Sequence, residues 1–152
     1  MQATGGRIFV HGFPGLYGGA ATELHHQIHV WLKLGIEVHL VPTNPGYPGE
    51  PLLPEMRELG VTVHEANDFS AVTAEDPVMG FCSADFLNML PEIRKHTRRT
   101  VFLNCMTWLF EAEKMRMAQG EIAMFLYQNE AVRQMLMPQL RELNPDPEVR
   151  FM

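Results

Sequence analysis

The sequence predicts an α/β domain, a parallel sheet of six to seven strands with helices on both faces. Three observations lead there. Short runs rich in β-branched and aromatic residues alternate with helix-period stretches, and no internal repeat interrupts the alternation. A chain of 152 residues has room for one ordinary hydrophobic core and not for two. Its composition, 46% hydrophobic and 20% charged, is that of a globular domain rather than a disordered chain.

Taken in order, Arg7, Ile8, Phe9, Val10 and His11 form the first strand. The helix expected over 20–34 sets Leu24, Ile28, Trp31 and Leu32 on one face and stops at Gly35. A second strand is expected over 37–41. A Pro/Gly-rich loop follows over 42–51, then a short helix over 52–59 stopped by Gly60. A third strand spans 61–64 and a fourth 78–82, which enters a helix over 84–96 that Pro91 is expected to break or kink. The fifth strand spans 100–103, and a helix over 108–118 leads past Gly120 to the sixth at 122–127. A last helix over 129–143, interrupted by Pro138, precedes the start of a seventh strand at 149–152. Strands joined by helical crossovers make a Rossmann-like layer, in which ligands bind beyond the carboxyl ends of the strands where their order reverses. The whole of 1–152 reads as one domain. Because it ends inside a strand, it is expected to be a fragment or one half of a larger enzyme.

A formal net charge of −6 argues against a nucleic-acid-binding face, which needs surplus Lys and Arg to neutralise phosphates. No stretch approaches the ~20 apolar residues of a bilayer span, and the first residues carry no apolar signal core, so a soluble cytoplasmic protein is expected. Cys82 and Cys105 each follow a strand-like run and read as small buried or loop-edge thiols of a reducing compartment. His25 and His29, spaced by four with His26 beside them, share a helix face as metal ligands do. The sequence places no further ligand near them, so they read as a partly exposed helix face and no metal is expected. Of the basic residues at Arg94, Lys95, Arg98 and Arg99, the principal reading is a solvated helix end, where cations suit the dipole.

Gly18 and Gly19 lie between the first strand and the first helix. At such a helix start the leading N–H groups lack intrahelical partners, and glycine lets a phosphate or sugar approach the backbone. The bland alternative is a tight turn that needs glycine φ angles. Gly12, Gly15 and Gly18 also have the spacing of nucleotide-binding dehydrogenases and epimerases. Against that, Val41, Pro42, Thr43 and Asn44 supply no acidic residue for a ribose, and none of Tyr17, Tyr47 and Tyr127 has a lysine four residues on. Other residues that follow strands are Ser83 and Asp85, whose bland reading is a helix cap, Asn104 and Trp108, and Gln128. Trp108 suits either sugar stacking or core packing.

Gly18-Gly19-Ala20 with its helix, followed by Leu34-Gly35-Ile36-Glu37-Val38-His39-Leu40-Val41, resembles the opening of GT-B glycosyltransferases, the large retaining family that uses nucleotide-sugars. A second segment, from Ala123-Met124-Phe125-Leu126-Tyr127 through Gln128-Asn129-Glu130-Ala131-Val132-Arg133, is similar to the family's entry into the last helix of its N-terminal domain. Glu23, three residues after Ala20, departs from the family's usual Ala-Glu pairing. The resemblance implies the acceptor-side half of a two-domain enzyme that moves a sugar from a nucleotide-sugar to an acceptor hydroxyl. Little activity is then expected of this chain alone. It implies no metal and no cofactor beyond the nucleotide-sugar co-substrate, and a carbohydrate or lipid-linked acceptor. The donor-binding domain, absent here, would be a C-terminal continuation or a separate subunit, in which case this chain is the non-catalytic partner of a split enzyme. Gly18, Gly19, Ser83, Asp85, Asn104, Trp108 and Gln128 become its substrate-binding residues, and a weak peripheral contact with the inner membrane face becomes a second reading of the basic run. Glu113 and Glu121 have the family's donor-signature spacing without the preceding Gly-Phe-Gly loop, and read as solvated charges.

Overall fold

The computed structural model describes residues 5–16, 18–43, 52–144 and 149–151. Its strands are β1 (Arg7–His11), β2 (Glu37–Val41), β3 (Thr62–Val63), β4 (Val78–Phe81), β5 (Thr100–Leu103), β6 (Met124–Tyr127) and β7 (Val149–Phe151). Between them lie α1 (Gly19–Lys33), α2 (Leu53–Glu58), α3 (Ala84–Ile93), α4 (Glu111–Ala118) and α5 (Glu130–Leu143). The strands form one sheet in the order β3-β2-β1-β4-β5-β6-β7, every pair parallel, so the expected α/β layer is the one observed. The Pro/Gly-rich loop expected over 42–51 falls, from position 44 onward, outside the described residues, as do Asn44, Tyr17 and Tyr47.

Alternation along the strands divides the core into two layers. Val10, Val38, Leu40, Met79, Phe81 and Leu103 face one way and are covered by Leu24 and Ile28 of α1 and by Leu53 and Met56 of α2. Phe9, Val78, Phe102 and Phe125 face the other way, beneath Phe86 and Leu90 of α3, Met117 of α4, and Leu136 and Leu140 of α5. Parallel strands between two helical layers are buried on both sides, which is why all four residues of β4 are apolar or glycine and buried. Gly80, in the middle of β4, allows the closest approach. A Cβ there would lie 2.2 Å from Cγ and 2.6 Å from Cβ of Phe86, so only glycine lets the first turn of α3 settle on the sheet.

The connection from β3 to β4 carries no helix, and crosses the α3 side with Phe69 and Val72 in the core. Polar bonds hold it. Arg7 donates from Nε and Nη2 to the two carboxylate oxygens of Asp76 at 2.6 and 2.7 Å. Asp76 Oδ2 also accepts from the Thr73 backbone N–H and hydroxyl at 2.7 and 2.8 Å. The Arg7 hydrogen bond leads, and with the Thr73 donors it holds the Asp76 carboxyl well below the usual range, at about 2, against the opposing effect of burial.

Neither proline ends its helix. α3 runs through Pro91 to Ile93 and α5 through Pro138 to Leu143. A proline at position 91 cannot bond the carbonyl of Leu87, and that carbonyl instead accepts from Arg116 Nε of α4 at 2.9 Å. The freed acceptor thereby joins α3 to α4. α4 begins at Glu111 rather than near Trp108, because residues 104–110 form a turn around the buried Asn104 side chain.

The Asp76 tether has a measurable pH signature. Its pKa is depressed on folding, so its contribution is complete above the unfolded value of about 3.9 and is lost as pH falls toward 2. Urea unfolding is expected to show Asp76→Asn less stable than wild type at pH 7, with the gap closing between about pH 4 and pH 2. A gap that stays constant over that range would remove Asp76 from this role.

Candidate ligand-binding crevice

β1 is flanked by β2 on one side and β4 on the other, and the connections leaving β1 and β4 pass to opposite faces of the sheet. Their carboxyl ends therefore part, and the gap is the crevice expected of such a sheet. It encloses a cavity of ≈ 120 Å³. His11 and Gly12 come from the end of β1, Ala20, Ala21 and Leu24 from α1, Thr43 from beyond β2, and Cys82, Ser83 and Asp85 from the β4–α3 turn.

Of the residues the sequence pointed to, Ser83 and Asp85 line this cavity, both half-buried. Ser83 is also the N-cap of α3, its Oγ accepting from the Phe86 N–H at 3.3 Å, so the cap reading and the lining position hold together. Gly18 is the N-cap of α1, at φ 88° and ψ 141°, and no side chain caps that helix. The turn alone thus accounts for glycine at 18. Gly19 differs. It begins α1 with no positive φ, and a Cβ there would meet nothing within 4 Å, so neither backbone nor packing demands glycine at this exposed position.

Asn104 lies at the end of β5 and is fully buried. Its Nδ2 donates to both Glu113 carboxylate oxygens at 3.0 and 2.9 Å and to the Trp108 carbonyl at 3.0 Å. Its Oδ1 accepts from the Met106 N–H at 2.7 Å. The amide organises the 104–110 turn, and that turn leaves the Trp108 side chain out of the core, 51% exposed. Gln128 is exposed beyond β6, and does not line the cavity.

Glu113 is no solvated charge. It is 0% exposed, and its Oε2 also accepts from the Phe110 N–H at 3.0 Å, the return half of a capping box at the start of α4. Burial raises its carboxyl to about 7, against the lowering effect of the bonds from Phe110 and Asn104. Glu121 is partly buried and pairs with Arg116 at 3.0 Å. The basic run is largely engaged within the fold. Arg94 Nη1 donates to the Gly120 carbonyl at 2.9 Å, Lys95 pairs with Glu92, and Arg99 pairs with Glu75.

Three chemically active groups were not visible as a set in the sequence. His11 is fully buried at the end of β1, with Nε2 2.8 Å from Asn67 Oδ1. Asn67 can only accept through that oxygen, so Nε2 carries the proton and Nδ1 is left with a lone pair. Among the described residues Nδ1 has no partner. Burial lowers the His11 pKa and keeps the ring neutral. Cys82 turns the chain from β4 into α3 at φ 46°, a left-handed conformation uncommon outside glycine, in a strand–turn–helix elbow of the kind that presents nucleophiles. Parallel register places Phe81 opposite Leu103, so the next residues bring Cys82 and Cys105 together. Both are half-buried free thiols at the carboxyl edge of the sheet. Hydrogen bonding from the Cys105 thiol, and to a lesser extent from its backbone N–H, holds the Cys82 thiol below the usual thiol range, while the same partnership and burial push Cys105 up. The residues at the carboxyl ends of β1 and β4 were the available signal for His11 and Cys82. The pairing with Cys105 depends on strand register.

No family model, curated protein or solved structure matches this chain.

The thiol pair makes a direct expectation. Alkylation of the native protein is expected to label Cys82 first, with a midpoint below that of an ordinary thiol, ahead of Cys105, and Cys105→Ala is expected to move the Cys82 midpoint upward. Equal labelling of both at an ordinary thiol midpoint of about 8.5 would contradict the arrangement.

Proposed function

We propose that this chain is the acceptor-side half of a nucleotide-sugar-dependent glycosyltransferase of the GT-B class, and that its ligand enters the crevice between β1 and β4. The observation that carries this reading is Gly19, a glycine at the mouth of an uncapped helix that neither φ nor packing requires. A ligand that approaches the backbone closely supplies the missing reason. The leading amides of α1 lack intrahelical acceptors, and the dipole there favours negative charge. In the proposed enzyme these amides meet the donor diphosphate from across an interdomain cleft, where leaving-group charge develops and fixed donors are worth most. Ser83 and Asp85 on the opposite wall suit an acceptor hydroxyl, through one hydroxyl and one carboxylate. Trp108, exposed on the turn that Asn104 folds, supplies a face for a sugar ring. The donor-binding partner, in frame or as a separate subunit, completes the site.

Because Gly18 sits at φ 88°, a side chain there would strain the turn whether or not a ligand binds. Gly19→Val is therefore the cleaner probe, since its Cβ enters open space. Calorimetric titration is expected to give weak binding of nucleotide diphosphates and nucleotide-sugars, Kd about 1 mM or roughly −4 kcal/mol, as befits half a site. Gly19→Val is expected to weaken it at least about fivefold, or ~1 kcal/mol. Micromolar binding of NAD(P), lost in Gly19→Val, would replace this reading with a dinucleotide-binding one. Wild-type affinity retained in Gly19→Val would remove the α1 amides from the site.

A further inference from the structure

His25 and His29 stand one turn apart on α1, their rings edge to face with centroids 4.8 Å apart. The third group comes from a different helix. Glu55 of α2 places Oε1 3.3 Å from His25 Nε2. One ligand atom from each of the three residues lies within 4.8 Å of the others. The meeting is imposed by the core behind it, because Leu24 and Ile28 of α1 pack into the same layer as Leu53 and Met56 of α2.

The distances suit a small divalent ion. A tetrahedral ion with bonds of about 2.0–2.1 Å sets its ligand atoms about 3.3–3.4 Å apart, and the His25–Glu55 separation of 3.3 Å already has that value. The His29 ligand atom lies within 4.8 Å of the other two. Two imidazoles and one carboxylate are a donor set for zinc, whereas calcium and magnesium take oxygen ligands. His25 is 13% exposed and Glu55 46%, so the cluster opens to solvent on the Glu55 side and leaves room for water at a fourth position. An acidic chain gives the cation no long-range barrier.

We propose that His25, His29 and Glu55 form a zinc-class divalent metal site that clamps α1 to α2, with water as the fourth ligand. The clamp lies directly behind the crevice wall, since Leu24, the residue before His25, lines the cavity. An ion bound there fixes the helix whose amino end faces the proposed ligand. It binds the folded chain in preference to the unfolded one, since the third ligand arrives only when α2 packs.

The test uses the full chain freed of metal by chelator. Co²⁺ titration is expected to give one site with the visible absorption of a tetrahedral nitrogen–oxygen environment and no thiolate charge-transfer band, which excludes Cys82 and Cys105. Zn²⁺ is expected to displace Co²⁺ and raise the Tm. His29→Asn and Glu55→Gln are each expected to weaken Zn²⁺ binding about 100-fold or more, beyond the ~10–100-fold that outer-shell changes cost. His26, exposed with its ring 6.0 Å from that of His25, gives the control, and His26→Asn is expected to leave affinity unchanged. Circular dichroism confirms that the variants fold. Zn²⁺ affinity untouched by His29→Asn and Glu55→Gln, or no wild-type binding tighter than about 0.1 mM, would overturn the proposal and leave the His25–Glu55 contact as a plain surface pair.

Discussion

The structure depends on the contact between Gly80 and Phe86. β4 is the strand at which the chain returns past β1 and the order of the sheet reverses. Its packing with α3 determines how the crevice is shaped. With Cγ of Phe86 only 2.2 Å from where a Cβ of Gly80 would stand, the first turn of α3 lies directly on the sheet. Ser83 and Asp85 then stand at the mouth of the gap, and Cys82 makes the turn between β4 and α3 at φ 46°. Any larger residue at 80 would lift α3, and with it one wall of the crevice.

A second level of order is polar and buried. Along the carboxyl edge, His11 meets Asn67, and Asn104 meets Glu113. Each pair fixes a loop that lacks regular structure, the first anchoring the β3–β4 connection and the second the turn that ends with α4. Taking Glu113 fully out of water is costly, and its carboxyl responds by rising to about 7. The bonds from Asn104 and Phe110 offset that cost, so the turn is specified by a group that would be unfavourable in any other arrangement. His11 Nδ1 and the Tyr127 hydroxyl are the two buried side-chain atoms without partners among the described residues, and both belong to residues at this carboxyl edge.

Local chemistry made much of this legible. Strand positions follow from runs such as Arg7–His11, and helix ends from Gly35, Gly60 and Gly120. The carboxyl-edge rule then pointed to Ser83 and Asp85, which do line the cavity. What escaped the sequence was long-range. Pro91 reads as a break only until Arg116, 29 residues away from Leu87, takes the freed carbonyl. Glu113 reads as solvated until Asn104 is placed above it. The histidines of α1 lack a third ligand until packing brings in Glu55, 30 residues away from His25. In each case the deciding partner lies on another element, and no periodicity within one segment encodes it. The glycosyltransferase reading rests on motif resemblance together with the geometry at Gly19.

The most direct test of the central claim is a ¹H–¹⁵N chemical-shift map of the chain titrated with a nucleotide-sugar to several millimolar. Binding in the crevice would move the amides of Ala20 and Ala21 together with those of Ser83 and Asp85, two groups far apart in sequence that line the same cavity at the strand-order reversal, and with them the amide of Gly19 at the exposed start of α1. Shifts confined to other surfaces, or no shifts at all, would contradict the assignment of the crevice as the binding site.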